Sequence, residues 1–203
     1  MKILALSDQV VPMIYSPIVA ERFADVELIV GCGDLPAYYL EYVITQLNVP
    51  LVYVPGNHDS DNLSVPGGIA VDGKLVDING VLIVGLGGSR RYKRKGKHQY
   101  SEAEMRWRSA CLLFALLSTR LRKGRWVDLL ITHAPPQGIH DAPDLAHRGF
   151  ATFRHLLRIF RPSMMLHGHS HVLRNLDKTR SQLYECEIVN VFPYQVIDFP
   201  EMQ

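Results

Sequence analysis

The chain has 203 residues, 47% of them apolar and 21% charged, a balance that suits a globular protein and excludes a disordered or fibrous one. That length matches one ordinary domain, so a single domain over residues 1–203 is expected, with a core that needs no disulfide framework. Net charge is only +2, yet six cations (Arg90, Arg91, Lys93, Arg94, Lys95 and Lys97) share one tract, which excludes a global nucleic-acid footprint and leaves a local one.

Asp8 interrupts the first apolar run too early for a signal-peptide core, and no stretch approaches the roughly 18 apolar residues of a membrane span. A cytoplasmic chain with no membrane partner is expected. Cys32, Cys111 and Cys186 are widely and irregularly spaced, which predicts packing residues and no disulfide pairing or CxxC site.

In chain order, ILALS reads as a buried strand that ends at Asp8, and Ser16-Pro17 predicts the opening of a helix toward Ala24. LIVGCG predicts a second strand ending at Asp34, and Pro36 opens a helix to Leu47. LVYVPG predicts a third, ending at Asn57 and His58. Next, IAVDGKLVDINGVLIVGL carries Asp72-Gly73 and Asn79-Gly80 between apolar runs, which predicts an antiparallel meander. GLGGS, residues 85–89, reads as a tight turn; no GK[ST] follows it, so it is not a P-loop. The tract after it interleaves cations with Tyr92 and Tyr100, a pattern able to meet single-stranded nucleic acid.

Ser101 with Glu104 three residues on forms a capping box, predicting a long helix to about Arg122 whose Trp107, Phe114 and leucines are assigned to the core. LLIT then predicts a strand ending at His133, and residues 150–160 a helix stopped by Pro162. MMLHG leads to His169, and the stretch from Val172 to Phe199 reads as further strands with a polar turn near Asp177 to Ser181. The result is a mixed α/β layout.

Strongly coordinating side chains thus recur just past the carboxyl ends of buried strands, where open α/β sheets place their ligand sites. Asp8 and Asp34 offer anionic oxygens, Asn57 a neutral carbonyl, and His133, His169 and His171 imidazole nitrogens, a mixture suited to manganese, iron or zinc. In HGHSH, His169 and His171 share one side of an extended segment, and His167, of opposite parity, is read as structural.

With Asp8 in LSDQV, Gly33-Asp34, GNHD from Gly56 to Asp59, His133 in THAPP and GHSH from Gly168 to His171, in that order, the chain resembles the calcineurin-like metallophosphoesterase family. The resemblance implies a four-layer sandwich of two mixed β-sheets flanked by helices, and a hydrolase in which a metal-bridged hydroxide cleaves a phosphomonoester or phosphodiester. It implies two divalent ions, manganese, iron or zinc, with Asp34 shared between them. Asp8 and His171 would serve the first ion; Asn57, His133 and His169 the second. It further implies that His58 contacts phosphate or protonates the leaving group, with Asp59 orienting its ring, and that Arg90 meets substrate phosphate. Nucleic acid is an allowed partner through Arg90 to Lys97.

One departure stands out. The family's D-x-H block ends here in Val10, which cannot ligate, so the first ion's occupancy is in question; His140, Asp141, His147 and Gln9 are the nearby candidates for compensation. The competing expectation is a catalytically weakened protein- or nucleic-acid-binding module on the same fold.

Overall fold

The computed structural model describes residues 1–171 and 178–200. Two sheets face each other. The first contains β1 (Lys2–Leu6), β2 (Leu28–Gly31), β3 (Leu51–Tyr53), β4 (Ile69–Ala70) and β13 (Tyr194–Asp198), in the order β13-β1-β2-β3-β4. In the second, β5 (Leu75–Ile78), β6 (Val81–Leu86), β9 (Leu129–Thr132), β10 (Met164–His167), β11 (Arg180–Leu183) and β12 (Cys186–Asn190) run in the order β11-β12-β10-β9-β6-β5. A short ribbon pairs β7 (Ser89–Arg90) with β8 (Gln99–Tyr100).

Side-chain alternation explains the layers. Ile3 and Ala5 of β1, Leu28 and Val30 of β2, Leu129 and Ile131 of β9, and Met164 and Leu166 of β10 meet in one core between the sheets. The alternate residues turn outward onto helices. Leu4, Leu6 and Ile29 pack under α1 (Ile18–Arg22) and α2 (Ala37–Leu47). Leu130 and Met165 pack under α3 (Glu102–Cys111), α4 (Leu113–Lys123) and α5 (Ala151–Phe160). Strands buried on both faces account for the continuous apolar runs. The architecture is therefore two mixed sheets flanked by helices, as the resemblance implied.

Some local expectations need correction. Asn79-Gly80 does join the antiparallel pair β5–β6, with both residues in the left-handed region that such a turn requires. Asp72-Gly73 instead carries the chain from the first sheet into the second, because β4 pairs parallel with β3. The Asp72 carboxylate accepts from the Gly87 amide at 2.7 Å, and both of its oxygens accept from Arg108 at 2.6 Å. At α1, Ser16 donates to the Met13 carbonyl and leaves Pro17 at the cap. The expected turn near Asp177 to Ser181 lies partly outside the described residues; of its described part Arg180 and Ser181 belong to β11, and Tyr184-Glu185 makes a separate turn from β11 to β12.

The capping box is present, with Ser101 and Glu104 bonding reciprocally. The helix it opens is divided at Leu112, whose amide reaches back to Ser109; Leu112 itself keeps helical angles, so α4 continues the course of α3. Only one face of this helix meets the sheet: Met105, Ser109, Leu112, Leu116 and Thr119 are buried. The core assignment of Trp107, Phe114 and the outer leucines is overturned. Trp107 is 72% exposed, Phe114 85%, Leu121 86% and Leu117 48%.

Candidate metal centre

The carboxyl ends of β1, β2 and β3 from one sheet and of β9 and β10 from the other open at a common edge. Each turn there is tight. Asp8, Asp34 and His169 all adopt positive φ, at 62°, 55° and 64°, a conformation that costs a non-glycine residue and persists only where its surroundings fix it. Here the fixing groups are hydrogen bonds between blocks: Asp8 N–H to the Gly33 carbonyl at 3.1 Å, His169 N–H to Asp8 Oδ2 at 2.9 Å, and His58 N–H to Asp34 Oδ1 at 2.7 Å. Close approach explains two glycines. A side chain at Gly56 would collide with the Asp34 carboxylate, and one at Gly168 with Ser7 and Asp8.

Asp34, His133 and His169 each offer one donor atom, and these atoms all lie within 4.8 Å of one another. Buried His133 donates from Nδ1 to the Cys32 carbonyl at 2.8 Å, which leaves Nε2 facing Asp34 Oδ2 at 3.4 Å and Asn57 Oδ1 at 3.0 Å. The amide nitrogen of Asn57 donates to the Tyr92 hydroxyl at 3.2 Å, and this turns its oxygen toward His133. His169 donates from Nε2 to the Ala146 carbonyl at 2.7 Å, with its ring between those of His133 and His147.

Asp59 does not orient the His58 ring. Its Oδ2 accepts from the amides of Asp34 at 2.8 Å and Gly56 at 2.7 Å, so it ties the second and third strand ends together. A buried carboxylate is most cheaply satisfied by amides within reach, whereas His58 is exposed.

The other side of the cluster is sparser. His171 Nε2 lies 3.5 Å from Asp8 Oδ1 and its ring stacks on Phe192 at 4.6 Å. Val10 packs among the apolar residues beneath α1 and α2 and offers no donor. Of the compensation candidates, Gln9 is exposed, His140 bonds His167 and Ser181, each at 2.9 Å, and Asp141 accepts from the Gly138 and Gly149 amides. His147 pairs with Asp144 and stands 5.2 Å from the His169 ring. His167 is buried, its Nδ1 donating to the Gly168 carbonyl.

Charge is unevenly distributed over the imidazoles. Burial opposes protonation of His133, but its hydrogen bond to Asp34 and the fields of Asp34 and Asp8 outweigh it and raise the pKa to about 9. Burial, reinforced by the neighbouring His133, lowers His169 to about 4. Asp8 is brought down to about 2: burial opposes this, and bonds from His171, Ser7 and the His169 amide with the His133 charge prevail. Burial raises Asp59. The donor set, two carboxylates, an amide oxygen and imidazole nitrogens, fits a borderline divalent cation.

Among the described residues Arg90 has no hydrogen bond or ion pair with this cluster. Its guanidinium pairs with Glu102 over the Phe150 ring. Arg91 pairs with Glu104 and Lys97 with Asp61, so half of the basic tract is locally neutralised, and Lys93, Arg94 and Lys95 remain exposed. The residue of this loop that reaches the cluster is Tyr92, which the sequence reading placed among stacking aromatics. Its position is set by buried Gln99, whose Oε1 accepts from the amides of Tyr92 and Lys93. The only advance signal was the loop's position after GLGGS. On the His171 side an open groove of about 760 Å³ runs past His147, His140, Lys178, Ser181 and Asn190.

No curated protein sequence matches this chain. Among solved structures, one aligns over 98% of this chain and 99% of its own with a TM-score of 0.65 at 14% identity. The protein TT1561 of Thermus thermophilus aligns over 94% of this chain and 88% of its own with a TM-score of 0.60 at 17% identity. These likenesses support the fold. The model of the calcineurin-like phosphoesterases matches residues 17–173, beginning beyond the block that contains Asp8 and Val10. The chain belongs to the calcineurin-like phosphoesterase family.

Proposed function

We propose that this chain hydrolyses phosphate esters with divalent metal ions held at the strand-end cluster. The observation that carries this reading is the convergence of Asp34, His133 and His169 within 4.8 Å, with the Asn57 oxygen 3.0 Å from His133. Asp34, Asn57, His133 and His169 are the residues that would hold one ion, and Asp8, Asp34 and His171 the other. Bound manganese, iron or zinc would polarise phosphoryl oxygens and lower the pKa of water.

The protein groups have separate tasks. His133, fixed by the Cys32 carbonyl, presents one nitrogen in one direction. Asp59 holds the Asp34 and Asn57 loops in register through two backbone amides. His58 is anchored by its own amide on Asp34 and is exposed; it is the group we assign to bond a phosphoryl oxygen or protonate a departing alcohol. The groove beside His171 offers room for the alcohol portion of a diester.

The incomplete side supports a graded outcome. With Val10 in an apolar cluster, the ion between Asp8 and His171 is the more weakly held, and activity should depend on added metal at concentrations above those that fill the Asn57 side. The test is turnover of p-nitrophenyl phosphate and bis(p-nitrophenyl) phosphate by the manganese-loaded protein, beside Asn57→Ala. Loss of about 10–100-fold in metal affinity or rate is expected for the variant. Metal-loaded protein inert toward both esters would refute the proposal and leave the binding-module reading.

A further inference from the structure

The outer face of α3 and α4 has no part in the site and none in the core. Residues 105–127 contain six cations, Arg106, Arg108, Arg120, Arg122, Lys123 and Arg125, and no acidic residue. At 100° per residue, Trp107, Phe114, Leu117 and Leu121 fall on the side opposite the buried residues Met105, Leu112 and Leu116. Exposed Arg106 and Arg120 lie on one flank of this stripe and exposed Arg122 on the other. Among the described residues none of these three meets a carboxylate, whereas Arg108, Lys123 and Arg125 pair with Asp72, Asp77 and Asp128.

A helix that is apolar on two opposite faces normally covers both. From Trp107 to Leu121 the stripe extends roughly 21 Å. With Leu113, also exposed, its bare side chains amount to roughly 600 Å², the upper end of what a monomer leaves as one patch. A second copy of this chain is a poor occupant, since pairing two stripes would set arginine flanks against arginine flanks.

We propose that α3 and α4 lie on an anionic membrane surface, with Trp107, Phe114, Leu117 and Leu121 entering the headgroup boundary and Arg106, Arg120 and Arg122 contacting lipid phosphates. Aromatic and leucine residues between cationic flanks are the composition of interfacial helices. Lying on a bilayer also differs from crossing it: among the described residues no helix is long and apolar enough to span one.

Sedimentation of the full chain with phosphatidylcholine vesicles, with and without phosphatidylglycerol, tests this. Binding is expected only with phosphatidylglycerol present, weakening with salt. It should fall by more than about tenfold in Phe114→Asp/Leu121→Asp and, separately, in Arg120→Glu/Arg122→Glu. All four positions are exposed, so Tm and ester turnover should remain at wild-type values, and the arginine pair stands as the test if the apolar pair fails to fold. Absence of binding to anionic vesicles, or binding that both variants retain, overturns the proposal. So does a wild-type dimer in sedimentation velocity that Phe114→Asp dissociates, since a second copy would then cover the stripe.

Discussion

At Asn57 an amide must present oxygen, not nitrogen, to a cation, and the neighbouring hydroxyl of Tyr92 enforces that choice by accepting from the nitrogen. Tyr92→Phe removes this constraint while preserving the ring. Manganese affinity read by calorimetry should fall about tenfold, with the protein's Tm in chelator unchanged; equal affinity would show that Asn57 is oriented by other groups. His133 gives a pH signature. In metal-stripped protein its folded pKa of about 9 exceeds the ordinary 6.5, so its pairing with Asp34 stabilises fully below the lower value and is lost as pH rises through the higher. Thermal unfolding in chelator from about pH 6 to 10 should show this loss, and His133→Gln should flatten it. The candidate ligands were legible because each lies within four residues of the end of a buried strand. Tyr92 was not: it comes to Asn57 from 35 residues away, through a loop whose path depends on the buried Gln99 side chain.

Among elements, Glu102 joins three. It begins α3, receives Arg90 from β7, and accepts from the Thr152 amide at 2.6 Å and the Ala151 amide at 3.3 Å, thereby capping the first turn of α5. Glu102→Ala should destabilise the fold by about 1–3 kcal/mol, measured by urea unfolding, because it leaves α5 uncapped and Arg90 unpaired. A loss below a few tenths would mean that water replaces the carboxylate well. The Ser101–Glu104 box and the Asn79-Gly80 hairpin were legible, since each is specified within four residues. The outer stripe was misassigned for a reason periodicity cannot cure: residues at spacings of three and four reveal an apolar face, but in a helix with two such faces they do not say which one meets the sheet.

For the molecule as a whole, the cluster lies at the seam between the sheets, with Asp34 and Asn57 following β2 and β3 and His133 and His169 following β9 and β10. A cation there would link the two halves. Manganese at about 100 times its Kd should stabilise by about 2.7 kcal/mol, a Tm rise of about 5–10 °C for a chain of this size, and chelator should reverse it. No rise would mean that no ion binds the folded chain in preference to the unfolded one. The β13 strand has a different consequence, one of timing. It leaves the second sheet's side of the chain and pairs antiparallel with β1, from Lys2↔Asp198 to Leu6↔Tyr194. During synthesis, therefore, β1 waits with one bare hydrogen-bonding edge while the strands from β2 to β12 are made, and that long wait leaves the edge open to pairing with a wrong neighbour.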